Sequence, residues 1–164
     1  MSKVVVIGML ILGLVFTLGA NSICCSTGTA LDEKTESFVT YDNIELKLSV
    51  EKTIYRSGGS VDAMLTVTNK DSSLRRFSFS STQQYDFIVM AEEEEIWRWS
   101  RDKVFASVLT ELILSPSESV KYQEKWPQED NQGNSVSPSD YQIIGMLTSR
   151  PEMVSRPISV QIIE

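Results

Sequence analysis

Apolar and polar residues alternate with a period of two in several short runs, and turn residues separate these runs. No other feature limits the possible folds so strongly. Ile44, Leu46, Leu48 and Val50 alternate with Glu45, Lys47 and Ser49. Val61, Ala63, Leu65 and Val67 alternate with Asp62, Met64, Thr66 and Thr68. Successive side chains of a strand point to opposite faces, so each run reads as a strand with one buried face. Between them, Ser57-Gly58-Gly59-Ser60 supplies a turn, because glycine reaches positive φ without steric cost. Asn69-Lys70-Asp71-Ser72 is a second turn, and Phe77 and Phe79 mark a short third strand.

Residues 77–105 are the richest in aromatics and hold Trp97 and Trp99. Tyr85, Phe87 and Val89 share one face of a strand, and Asp86 points away from it. Glu92 to Glu95 cannot be buried unpaired, so they read as a solvated turn. Residues 96–100 restart an extended segment, with Trp97 and Trp99 on one face and Arg98 on the other. The spacing predicts a β-hairpin that adds its aromatics to a core. Asp86 and Arg98 can pair across it, and an exposed pair of that kind contributes about 0–1 kcal/mol.

Residues 104–114 show some helical spacing but stop short of Pro116, which predicts one short helical turn followed by a strand near Glu111 to Leu114. A turn at Pro116 leads to a strand from Ser119 to Trp126. Residues 127–140 form the longest polar loop of the body. Tyr141, Ile143, Gly145 and Leu147 then mark one strand, and Ile158, Val160 and Ile162 the last. About eight short strands with almost no helix predict an all-β chain folded as an antiparallel β-sandwich over residues 41–164. The only cysteines are Cys24 and Cys25, so packing alone must join the sheets.

Residues 1–25 carry Lys3, an apolar run from Val4 to Leu18 and the small residues Gly19 and Ala20, which is the pattern of an export signal. The run is short for a membrane span, which needs about 20 apolar residues. Lipidation at Cys24 or Cys25, release as a soluble secreted product, and retention as an uncleaved signal anchor all remain open. The first and third would hold the protein on the membrane through its N-terminus. Residues 26–40 are polar and read as a flexible tether.

Lys and Arg number 15 against 22 Asp and Glu, a net charge of −7. With no basic stripe, the chain is a poor partner for nucleic acid. It has no histidine, which excludes Ser-His-Asp and Cys-His catalysis and His-ligated metals. With no phosphate-binding glycine loop and no metal-ligand spacing, the sequence predicts neither an enzyme nor a cofactor. Asp130, Gln132 and Asn134 approach a calcium loop, but Gly133 is misplaced and the closing Glu is missing.

Several elements then follow in a specific order. Asn69 comes first, then Phe79 to Phe87 with Gln83, Tyr85 and Asp86, then Trp97-Arg98-Trp99-Ser100 and Phe105. Leu114 to Ser119, Tyr122 with Trp126, and Pro138-Ser139-Asp140-Tyr141 complete the series. Together they resemble the BsuPI family, bacterial domains similar to an intracellular proteinase inhibitor of bacilli. The resemblance implies an Ig-like β-sandwich that inhibits a subtilisin-type serine protease by protein–protein contact. The family usually has Pro-Gly where this chain has Pro116-Ser117, Pro-Gly-x-Tyr where it has Pro138-Ser139-Asp140-Tyr141, and a glycine in the hairpin turn at Glu92 to Glu95.

A substrate-like inhibitor must offer a stiff loop that adds main-chain hydrogen bonds along the enzyme cleft. The loop 127–140, with Pro127, Asp130, Gly133 and Pro138, is the candidate for that contact, although its middle reads as flexible. The alternative is a non-inhibitory module of the cell envelope that shares the fold and binds another protein or a wall component.

Overall fold

The computed structural model describes residues 34–164. The export segment with Cys24 and Cys25, and the first part of the tether, lie outside the described residues. The described chain is built from strands, in the order β1 (Thr35–Tyr41), β2 (Ile44–Val50), β3 (Ile54–Arg56), β4 (Val61–Asn69), β5 (Arg75–Phe79), β6 (Tyr85–Ala91), β7 (Glu94–Arg98), β8 (Thr110–Leu114), β9 (Ser119–Trp126), β10 (Asp140–Leu147), β11 (Met153–Val154) and β12 (Ile158–Ile163).

Two sheets face each other. One has the order β1-β2-β4-β9, and the other β3-β12-β10-β6-β7 with β11 beside β10. β5 and β8 form a separate two-stranded pair. Every pairing is antiparallel except the short parallel match of β3 with β12. The arrangement is an Ig-like sandwich: β2, β4 and β9 take the places of strands A, B and E, and β6, β10 and β12 those of C, F and G. A second hallmark agrees with this. At the start of β10, the Tyr141 hydroxyl donates to the Ser137 carbonyl at 2.7 Å, which is a tyrosine corner. Trp126 packs edge-on to the same ring at 5.1 Å.

The core lies between the sheets and is formed by the inward positions read from the alternation, including Leu46, Leu48, Leu65, Val67, Ile143 and Val160. No disulfide is needed where β4 and β10 approach. A Cβ on Gly145 would stand 3.1 Å from Leu65 Cδ1 and 3.3 Å from Leu48 Cδ1, so the bare glycine lets the sheets close there.

Several expectations are corrected. Residues 35–40 are not tether but part of β1, an edge strand paired along its whole length with β2. It lacks a buried face, and Phe38 and Tyr41 are exposed, so no alternation marks it. The available signal was Asp42-Asn43, a two-residue hairpin turn with both φ angles positive. β3 and β11 are too short to show a period, which raises the strand count above the expected eight. The expected helical turn after residue 104 is absent, and residues 103–109 are irregular. The hairpin turn is narrower than expected: Ala91 pairs with Glu94, so only Glu92 and Glu93 turn, and Glu94 and Glu95 belong to β7.

The connection from β8 to β9 shows what the Ser for Gly difference means. The Glu118 amide donates to the Ser115 carbonyl at 3.0 Å across Pro116-Ser117, and Ser117 has φ 65. This is a type II turn, whose third residue needs positive φ and favours glycine. Ser117→Gly is expected to raise unfolding stability by about 0.5–1 kcal/mol, because it removes a left-handed β-carbon. A urea unfolding midpoint would check it, and a lower midpoint would contradict the strain.

Candidate functional site

Part of the family pattern, Gln83, Asp86, Arg98 and Ser100, meets at the β6–β7 hairpin, whereas Asn69 ends β4 and Trp126 and Tyr141 pair at the tyrosine corner. Asp86 is buried, 1% exposed, because β6 lies between β10 and β7 with both faces covered. The expectation of an exposed ion pair is therefore corrected. One carboxylate oxygen of Asp86 accepts from the amides of Phe87 at 3.0 Å and Ser100 at 3.1 Å. The other accepts from Ser100 Oγ at 2.6 Å, Arg98 Nη1 at 3.0 Å and Gln83 Nε2 at 3.2 Å. The rest of the Arg98 guanidinium grips Glu95 through Nη2 at 2.6 Å and Nε at 3.1 Å. Those bonds hold the Glu95 carboxyl below its ordinary range. Gln83, Asp86, Arg98 and Ser100 are thus one satisfied network. The acceptor sites of Asp86 are all in use, so it has none to offer a substrate.

The opposite side of the same strands carries a row of half-buried aromatics. Tyr85 is stacked between Trp99 and Tyr122, each with ring centres 4.5 Å away, and Phe105 lies 5.9 Å beyond Trp99. Phe87 meets Tyr85 edge-on at 6.0 Å and is buried. The row closes the open side between β9 of one sheet and β6 of the other, and Trp97 packs against the core beside it. The aromatics therefore pack both on one another and against the core.

Tyr85 donates to Glu124 Oε1 at 2.6 Å, and Tyr122 donates to Gln84 Oε1 at 3.1 Å. Burial raises the Tyr122 phenol to about 12 from its ordinary 10.0. Burial and then the bond to Glu124 raise Tyr85 as well. Both shifts favour the neutral phenol, so their stabilisation is complete below pH 10 and declines above it, the Tyr122 part being lost as pH rises through about 12. A titration followed at the phenolate absorbance is expected to show alkaline unfolding beginning above pH 10, with these two tyrosines ionising last or together with the unfolding. Full ionisation near pH 10 in a folded chain would contradict the burial.

A cleft of about 510 Å³ lies beside the network, lined among others by Trp97, Arg98, Lys103, Glu124, Pro127 and Gly133. The expected contact loop forms its far wall, but its middle is not the flexible stretch the composition suggests. Asp130 Oδ1 accepts from the amides of Gln132 at 2.8 Å and Asn134 at 2.9 Å, and the Asp130 amide donates to Asn134 O at 2.8 Å. The Asn134 side chain holds the Asp130 carboxyl below its ordinary range. Asp130 thus caps its own turn, and Gly133 supplies a φ of 82 within it. Trp126 Nε1 donates to Glu129 O at 2.9 Å. The loop also covers the free edge of β7: the Asn131 amide donates to Ile96 O, and Arg98 N donates to Asn131 Oδ1, both at 2.9 Å. Pro138 leads into the tyrosine corner, away from the cleft lining. Among the described residues no cluster of acidic or sulfur ligands is placed to hold a metal.

Sequence reasoning read a helical turn after residue 104 and took Phe105 as a family residue, but it did not single out residues 103–109, beside Trp99, as a contact segment. Three exposed apolar residues there, Val104, Val108 and Leu109, were the available signal.

Comparison with known proteins gives one family. The model described as BsuPI, intracellular proteinase inhibitor, matches residues 48–152, from β2 to just before β11. No curated protein matches the chain. Similar solved structures include a Listeria innocua β-glucosidase in complex with laminaribiose, at 14% identity and TM-score 0.45, covering 77% of this chain and 17% of that one. A sporulation control protein of Bacillus subtilis shares 12% identity at TM-score 0.47, covering 76% of this chain and 51% of that one. An alkylpurine DNA glycosylase of Pseudomonas fluorescens bound to abasic-site DNA shares 6% at TM-score 0.43, covering 70% and 28%. The chain thus spans about a sixth of the β-glucosidase's length.

Proposed function

The chain belongs to the BsuPI family, and from that premise we propose that it inhibits a subtilisin-type serine protease at the cell envelope by protein–protein contact. The observation that carries the reading is the family match over residues 48–152, which takes in the hairpin network, the aromatic row and both walls of the cleft. The chemistry of the site supports it. The motif's polar groups are spent on one another, so its side chains build a rigid frame and leave recognition to the surface. The export pattern of residues 1–25 supports a target outside the cytoplasm, and anchoring through Cys24 or Cys25 would keep the inhibitor at the cell surface.

The test is titration of purified protein against a panel of subtilisin-type proteases. A saturable, stoichiometric loss of activity with the inhibitor chain intact by mass is the expected result. Unchanged activity at micromolar protein, or steady digestion of the chain by every protease tried, would overturn the reading.

A further inference from the structure

We infer that residues 103–109 are the segment that enters the protease cleft, with Val104 offered to the primary pocket; this rests on the inhibitor reading above. Between β7 and β8 the chain runs as Lys103-Val104-Phe105-Ala106-Ser107-Val108-Leu109, with no regular structure. Val104 is 98% exposed, Leu109 85% and Val108 47%. Three aliphatic side chains in water within one short segment mark an interaction surface rather than a structural need.

The segment is also held from behind. The Thr82 amide donates to Ala106 O at 3.0 Å, and the Ala106 amide donates back to Thr82 Oγ1 at 3.1 Å. The ring of Phe105 turns inward onto Trp99. At the near end, Lys103 Nζ donates to Trp99 O at 2.8 Å and sits 4.5 Å from the centre of the Trp99 ring. At the far end, Thr110 Oγ1 donates to Ser81 O at 2.9 Å. These ties fix the middle and both ends, so little conformational freedom is left to lose on binding.

A protease cleft takes a peptide as an added strand, using its main-chain groups, while pockets read the side chains. Among the described residues the backbone groups of Val104 and Phe105 have no hydrogen-bond partner, so they are free for such a ladder, which ends where the Val108 amide donates to Ala106 O at 2.9 Å and turns the chain at Ser107. The loop 127–140 offers less, because the amides of Asp130, Asn131, Gln132, Gly133, Asn134 and Val136 already donate within the molecule. Leu109 abuts Thr110, which pairs with Phe79, whereas Val104 stands clear. Residues 104–110 carry no charge. The partner that fits is an endoprotease whose primary pocket accepts a neutral aliphatic side chain. Trp99 then acts as a positioning residue beneath the segment.

The experiment uses the purified full chain, a subtilisin-type protease that it inhibits, and the variants Val104→Asp, Val104→Leu and Ser135→Asp. Val104→Asp is expected to weaken inhibition at least about 100-fold, since it puts a charge into an apolar pocket at the centre of the contact. Val104→Leu is expected to change the rank order among proteases, because it alters only the side chain in the pocket. Ser135→Asp, in the rival loop, is expected to stay within about threefold of the parent. Both positions are exposed, and matched thermal melts would confirm that the variants fold. Undiminished inhibition by Val104→Asp, or a large loss with Ser135→Asp alone, would overturn this inference and leave the inhibitor reading standing. If the parent chain inhibits no protease, the inhibitor reading itself fails, and this inference fails with it.

Discussion

Asp86→Ala is expected to destabilise the fold by about 3 kcal/mol, the largest loss of any single polar change. The carboxylate is buried and accepts from Phe87, Ser100, Arg98 and Gln83. Truncation leaves those donors without an acceptor, and each unsatisfied buried group costs about 1–3 kcal/mol. Arg98 keeps Glu95, and its side chain is 30% exposed, so water and the second carboxylate relieve part of the loss. That is why the expected value lies at the low end of the range for breaking a buried pair. Asp86→Asn is expected to fall between the parent and Asp86→Ala, because it keeps one acceptor oxygen but turns an NH2 toward other donors.

The coupling is as informative as the single change. Once Asp86 is gone, Arg98→Met should cost less than it does in the parent, because the guanidinium has lost half its partners. Denaturant unfolding of the four chains of this cycle would measure it. Additive losses, or a loss below about 1 kcal/mol for Asp86→Ala, would mean that the network does not stabilise the fold as a unit.

Asn69→Ala is expected to lose about 2–3 kcal/mol. Asn69 ends β4 with 0% exposure, and its Nδ2 donates to the carbonyls of Ser73 at 2.8 Å, Leu114 at 3.0 Å and Ser115 at 3.1 Å. Its Oδ1 accepts from the Asp71 amide at 2.9 Å. Its backbone amide donates to Glu118 O, and its carbonyl accepts from the Ser117 amide. One side chain therefore joins the end of β4 to the turns flanking the β5–β8 pair. Asn69→Asp is expected to be worse than Ala at neutral pH, because a carboxylate would face three carbonyl oxygens. The difference should shrink in acid, where the protonated form recovers one donor. Thermal melts of both variants at neutral and acid pH would decide it. Equal melting of Asn69→Asp and the parent at neutral pH would show that the side chain is not held by those carbonyls.

The part of the fold that was legible lies where one face is buried and the other wet. β2, β10 and β12 show that alternation, and the sequence reading locates each of them. It falters where the rule changes. β1 is an edge strand with no buried face, and β6 is buried on both sides, so Asp86 sits in the interior although its neighbours suggested a wet position. The Glu92 to Glu95 run read as one turn because four carboxylates resist burial, yet Arg98 neutralises Glu95 and lets it join β7.

The sequence by itself determined the longer strands and the sandwich, because the period of two and the turn residues act between close neighbours in the chain, and its ordered motif residues determined the family. Only the tertiary structure decided what the motif residues do and which segment stays free. Asp86 meets Ser100, Asn131 meets Ile96 and Thr82 meets Ala106 across loops that no local period reports. Satisfying buried polar groups is a condition on the whole fold. It stiffens the loop 127–140 from within and leaves residues 103–109 anchored, apolar and open to a partner.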